Sequence, residues 1–95
     1  MAAVTGCTCY GVVPSQGRKQ LLIKTPATAD AADTIDVSSA TATGGETLSS
    51  VDWVVCWDST TGDVVTATVS GTTITVDAGG STTDHTYVLN VFGQA

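Results

Sequence analysis

In the second half of this chain apolar residues recur at every second position. Val65, Ala67 and Val69, then Ile74 and Val76, then Tyr87, Leu89 and Val91 alternate with Thr66, Thr68, Thr73, Thr75, Thr86 and Asn90. A period of two puts one row of side chains on each face of an extended strand, whereas a helix needs a period near 3.6. Gly and Asp separate the runs, with Ser70-Gly71-Thr72 placed to close a tight hairpin and Asp58 to Asp63 (DSTTGD) to form a turn. The pattern predicts an antiparallel β meander over the last 45 residues or so of the chain.

Upstream, Arg18 to Thr25 reads as a strand with Leu21 and Ile23 on one face, ended by Pro26, and Thr34 to Ser38 as a short strand carrying Ile35 and Val37. Ala27 to Asp33 has the composition for a helical turn and Ala40 to Ser50 that of a polar loop. Val51 to Trp57 is apolar on both faces, as in a central strand or one whose outer face meets another chain. Gly6, Gly11, Pro14 and Gly17 interrupt the first residues, so 1–17 is expected to be an irregular arm and 18–95 the folded domain, with Tyr10 to Val13 a candidate extra strand. Six or seven short strands at this spacing suit a small all-β, antiparallel β-sandwich of immunoglobulin-like type.

A domain of 95 residues buries only about 60 to 65% of its unfolded surface. One Phe, two Tyr and two Trp leave most core burial to Val, Ile, Leu and Ala. Stability from association with other copies is a common remedy for so thin a core. Three Lys and Arg against nine Asp and Glu, a net charge of −6, are the wrong balance for releasing counterions from a phosphate backbone, so nucleic acid and anionic membranes are not expected as partners. The N-terminal residues have neither the basic start nor the apolar run of a secretory signal, so synthesis in the cytoplasm without a signal peptide is expected, the chain either staying in the cell that makes it or leaving by a route other than signal-directed export.

No residue set assembles a familiar reaction centre. Three cysteines, Cys7, Cys9 and Cys56, are an odd number for a disulfide framework. With His85 they reach the ligand count of a zinc site but lack the Cys-x2-Cys spacing, so small buried or arm-located thiols are the expectation, with a bond from Cys7 or Cys9 to a neighbouring copy as the alternative. His85 follows Asp84 without a nucleophile elbow anywhere in the chain, and reads as a histidine capping a turn. Asp30, Asp33 and Asp36, and the carboxylates of 58–63, do not match a calcium loop. The expectation is therefore no enzyme, no cofactor and no metal. Trp53 and Trp57, at i and i+4 on one face, are expected to anchor the core, the alternative being a platform for sugar rings.

The segments Leu22-Ile-Lys-Thr-Pro-Ala-Thr-Ala-Asp-Ala-Ala-Asp-Thr-Ile-Asp-Val-Ser-Ser and Thr61-Gly-Asp-Val-Val-Thr-Ala-Thr-Val-Ser-Gly-Thr-Thr-Ile-Thr-Val resemble small structural proteins of tailed bacteriophages. The resemblance implies a virion component, a decoration or cement protein on the outer surface of the assembled head, with the major capsid protein and copies of itself as partners. A tail- or fibre-associated module binding glycans of the host surface is the alternative. On this reading Val4, Tyr10, Val12 and Val13, with Val54 and Cys56 from the outer face of Val51 to Trp57, contact neighbouring subunits, and loss of residues 2–13 would leave the sandwich folded.

Overall fold

The computed structural model describes residues 2–15 and 17–95, with the backbone alone at 12–15. In chain order its elements are β1 (Thr8–Ser15), β2 (Arg18–Lys24), β3 (Thr34–Asp36), α1 (Ala40–Thr43), β4 (Ser50–Asp58), β5 (Asp63–Val65), β6 (Thr68–Ser70), β7 (Thr73–Thr75) and β8 (Tyr87–Gln94). They form the all-β sandwich that the alternation predicts: a five-stranded sheet in the order β1-β2-β8-β4-β5 and a three-stranded sheet in the order β3-β7-β6. Every strand pairing is antiparallel.

The strictest alternation in the chain becomes the central strand. Tyr87, Leu89, Val91 and Gly93 of β8 are buried while Val88, Asn90 and Phe92 between them are half-buried. Both edges of β8 are paired along its length, with Arg18–Lys24 on one side and Ser50–Asp58 on the other. On the inner face, Leu21 and Ile23 join Leu89, Val91 and Tyr87 in one core with Ile35, Val37, Ile74 and Val76 from the smaller sheet and its flanks. Gly93 lies where the β4 backbone comes closest, and a Cβ there would overlap the Ser50 carbonyl. At Gly71 the backbone takes φ +63, the left-handed value that the first central residue of the β6–β7 hairpin turn requires.

Three departures from the sequence reading have clear physical causes. The run 63–70, continuous in pattern, is two strands in two different sheets. Val65 and Ala67 both pack on the core, and the chain crosses from one layer to the other between them. Ala27 to Asp33 forms separate hydrogen-bonded turns instead of a helical turn. A short helix, α1, lies in the expected loop, with the Ser39 side chain accepting from the Ala42 N–H and Gly44 at φ +84 closing it.

The largest departure is the N-terminal segment. The residues set apart as an arm contribute an edge strand, β1, paired with β2 from Thr8 to Ser15 and bulged between Cys9 and Gly11. Ahead of it Val4 and Cys7 are core residues. Their N–H groups donate to the Thr34 and Ala42 carbonyls at 2.7 and 3.1 Å, and Gly6 N–H donates to Thr41 at 2.9 Å. These backbone bonds, unsignalled by any periodicity, overcome the breaking effect of the glycines.

Removal of residues 2–13 is therefore expected to abolish cooperative unfolding, because it strips one edge of β2 and opens the core beside Val4 and Cys7. Thermal denaturation followed by circular dichroism checks this. For comparison, Leu89→Ala at the fully buried centre of β8 should cost about 2–5 kcal/mol, read from urea midpoints.

Candidate functional site

The inner face of the five-stranded sheet is covered by the second sheet; its outer face carries an apolar row across four strands. Register places Trp53 opposite Phe92, Val55 opposite Asn90 and Trp57 opposite Val88 between β4 and β8, and Trp57 opposite Val64 between β4 and β5. Directly opposed residues share a face, so these side chains form one continuous patch. Trp53 stacks on Phe92 with ring centroids 4.6 Å apart and planes at 16°. One indole face is thus covered and the other is turned away from β8, leaving Trp53 57% exposed. Val64 is 79% exposed and Val55 43%. Leu22, opposite Asn90 on the far side of β8, is exposed too.

Polar groups frame this patch. Gln20 Nε2 donates to Asn90 Oδ1 at 2.6 Å, an amide pair set within the apolar row. At one end Arg18 meets Asp52 at 2.9 Å across β8. Asp52 is the bulged residue between Val51 and Trp53, and the bulge lets Val51 pack on the core while Trp53 turns outward.

This arrangement reverses the faces expected for β4. Cys56 is buried and Val54 packs against the core, so the outward side chains are Trp53, Val55 and Trp57, and Trp53 is no core anchor. Val4 is buried and contributes to the core instead of a contact surface. Tyr10, at the β1 bulge, is 58% exposed. The side chains of Val12 and Val13 lie outside the described residues. Of the four expected contact residues whose side chains are described, Tyr10 alone is exposed, and the structure does not set it in register with Trp53.

A second constellation was not foreseen as a unit. Asp58, at the end of β4, points inward and is buried, and its Oδ2 lies 2.5 Å from His85 Nδ1. Its Oδ1 accepts from the Thr60 and Thr61 N–H groups at 2.9 and 3.3 Å. Burial pushes this carboxyl up, but the hydrogen bonds from His85, Thr60 and Thr61 outweigh it and hold Asp58 below the ordinary range. The available signal was the spacing, since Asp58 continues the inward row of Val54 and Cys56. The adjacent hydroxyl, Ser59 Oγ, donates to the Thr86 carbonyl at 3.1 Å, and Thr60 Oγ1 accepts from Thr86 N–H. The pair fastens the turn after β4 to the segment entering β8, with its nearest hydroxyls committed to backbone partners.

Among the described residues no group of three or more His, Cys, Asp or Glu is arranged to hold a metal ion, and Cys7, Cys9, Cys56 and His85 are not brought together. Burial pushes the Cys7 thiol up to about 11 and the Cys56 thiol up to about 12, so both are protonated and unreactive at neutral pH. The aspartates at 30, 33 and 36 serve separate turns. Asp33 accepts from the N–H groups of Ala2 and Asp30, Asp36 from Ser38 and Thr72, and Asp30 from Asp84 N–H. A cavity of about 240 Å³ beside Val4, Pro26 and Ala29 has Asp33 as its charged lining group.

Asp33, Asp36 and Asp58 are all held below the ordinary carboxyl range in the folded state. Their contribution to stability is therefore fully present above the unfolded-state value of about 4 and is lost as pH falls through the lower folded-state values. Urea midpoints should be flat from pH 7 to about 5 and fall below pH 4. Asp58→Asn should be less stable at neutral pH and show a shallower acid loss; an unchanged acid slope would remove Asp58 from this role.

No protein-family model, curated protein or solved structure matches this chain.

Proposed function

We propose that this chain is a structural protein of a virion, a decoration or cement subunit that docks through the outer face of its five-stranded sheet. The observation that carries the reading is the exposed apolar row of Trp53, Val55 and Val64 on that face. Leaving such a row in water is unfavourable by roughly 25 cal/mol per Å², and contiguous exposed apolar patches on small soluble domains commonly mark interaction surfaces. The resemblance of 22–39 and 61–76 to small phage structural proteins supplies the class of assembly, and the outer surface of the head is the site it implies.

Such a role needs no bond-making. A subunit that binds the assembled shell and not its free components stabilises the shell by mass action, about 2.7 kcal/mol per site at a concentration a hundred times its Kd. Buried, protonated thiols and an Asp58–His85 pair engaged in fastening a turn suit a protein without catalytic chemistry.

One observation favours a second reading, a tail- or fibre-associated glycan-binding module: the exposed indole of Trp53 on the same sheet face as the amides of Gln20 and Asn90. Sugar rings stack on such faces. The two readings separate by experiment. Trp53→Asp should leave the circular dichroism spectrum unchanged, because the side chain is mostly in solvent, and should remove the protein from purified particles on which the unaltered chain is stoichiometric. Equal occupancy by the variant, or recovery of the unaltered chain only as free protein in lysate, would overturn the head-binding role. Iodide should quench the Trp53 fluorescence of the free protein and lose access to it on particles; protection by oligosaccharide instead would support the glycan reading.

A further inference from the structure

The outer face of the five-stranded sheet differs in charge from the rest of the chain. Its charged side chains are Arg18, Lys24 and Asp52, and the single carboxylate among them is ion-paired with Arg18. The face is thus close to neutral, slightly positive, on a protein whose net charge is −6. Asp58 and Asp63 oppose each other on the inner side of the same sheet, Glu46 lies in the loop after α1 near Lys19, and Asp30, Asp33, Asp36, Asp77 and Asp84 belong to the smaller sheet and its loops. The surface with the apolar row thus carries one carboxylate, Asp52, and that one is ion-paired.

We propose that this face pairs with the same face of a second copy of the chain, forming a two-fold dimer in which the larger sheets stack. The inference rests on the reading above that the face is an interface, and names its partner in solution, a second copy that gives way when the face docks on the head. Two copies apposed in this way bring no unpaired carboxylates together and turn their acidic surfaces apart. Sheets bury apolar faces by stacking about 10 Å apart with side chains interdigitated, and an isologous arrangement is the commonest closed solution for identical chains. The open indole face of each Trp53 then meets an apolar row of its own kind, extending the Phe92–Trp53 stack.

Area sets the strength. At roughly 150–250 Å² for a large aromatic side chain, the exposed parts of Trp53, Val55, Val64 and Leu22 amount to on the order of 400–500 Å² per copy. The total, twice that, lies near the lower limit of about 1,000 Å² for a specific interface, so a weak, concentration-dependent dimer is expected. Charge sets the salt dependence. Outside the interface the copies repel, and salt screens that repulsion within about 10 Å at 0.1 M, so the dimer should tighten as salt is raised. A basic partner would bind with the opposite dependence.

Sedimentation velocity on the full chain from about 5 to 500 µM, at low and high salt, tests the proposal. A concentration-dependent dimer that tightens with salt, and is weakened at least tenfold by Trp53→Asp and by Val64→Glu, is the expected result. Val64 is mostly in solvent, so the second variant keeps the test open if the first misfolds. A chain that remains monomeric to 500 µM, or a dimer indifferent to both variants, would overturn it. If the chain is monomeric yet Trp53→Asp still loses particles, the partner is the head surface and only this inference fails; if neither dimer nor particle binding responds, the interface itself is wrong.

Discussion

The double pairing of β8 governs this molecule. The last strand in sequence sits at the middle of the larger sheet, hydrogen-bonded to β2 along one edge and to β4 along the other. Its register decides which residues of both neighbours look inward, since a slip by one position would exchange the two faces. Tyr87, Leu89 and Val91 can all be fully buried only in the register observed, with Leu21 and Ile23 beside them on β2 and Val54 and Cys56 on β4. The same pairing joins residues some 70 positions apart, so the larger sheet cannot close until the chain's end is available, a topology with a slow search.

With the inner row assigned, the composition of the outer row follows. Phe92, Val88, Trp53, Val55 and Trp57 cannot join the core, because the smaller sheet lies on the other face and its strands are three residues each. In a chain with one Phe and two Trp, three of its largest apolar groups are therefore spent outside the core. The interior is closed instead by aliphatic residues and Tyr87, whose hydroxyl is held by Thr82 and donates to Asp77. A sequence under selection only for monomer stability would place those aromatic groups inward, where each stabilises most.

Strand content and the sandwich were legible in the sequence because period-two patterning is a direct consequence of strand geometry. Polarity of face was legible only where one face is polar. For β2 and β8 the alternation of Leu, Ile and Val with Gln, Lys and Asn settles it, while Val51 to Trp57 is apolar at almost every position and carries no such mark. The inference that large aromatics go inside then chose the wrong face, and the bulge at Asp52 further broke the count between Val51 and Trp53. The N-terminal strand was hidden for a different reason: β1 is an edge whose Gly11 and Pro14, with Gly6 and Gly17 on either side of it, disrupt any local pattern, and its place is specified by backbone pairing to β2 and by Val4 and Cys7 reaching the core. Long-range backbone bonds leave no periodic trace.

The acidity of the chain has an architectural origin that composition alone obscures. Asp30, Asp33, Asp36, Asp58 and Asp77 each accept hydrogen bonds from backbone N–H groups or hydroxyls in the turns that connect the strands. Short strands require many turns, and in a chain this poor in Lys and Arg the turn-capping carboxylates are left as net negative charge. The sign of the charge is thus tied to the loops and to the ends of the sandwich, while the broad outer face, made of regular strand with no turns to cap, stays nearly free of it. Segregation of charge from apolar surface is in this way a product of the fold's own connections, and it leaves one face on which another protein surface can be accommodated without burying an unpaired carboxylate.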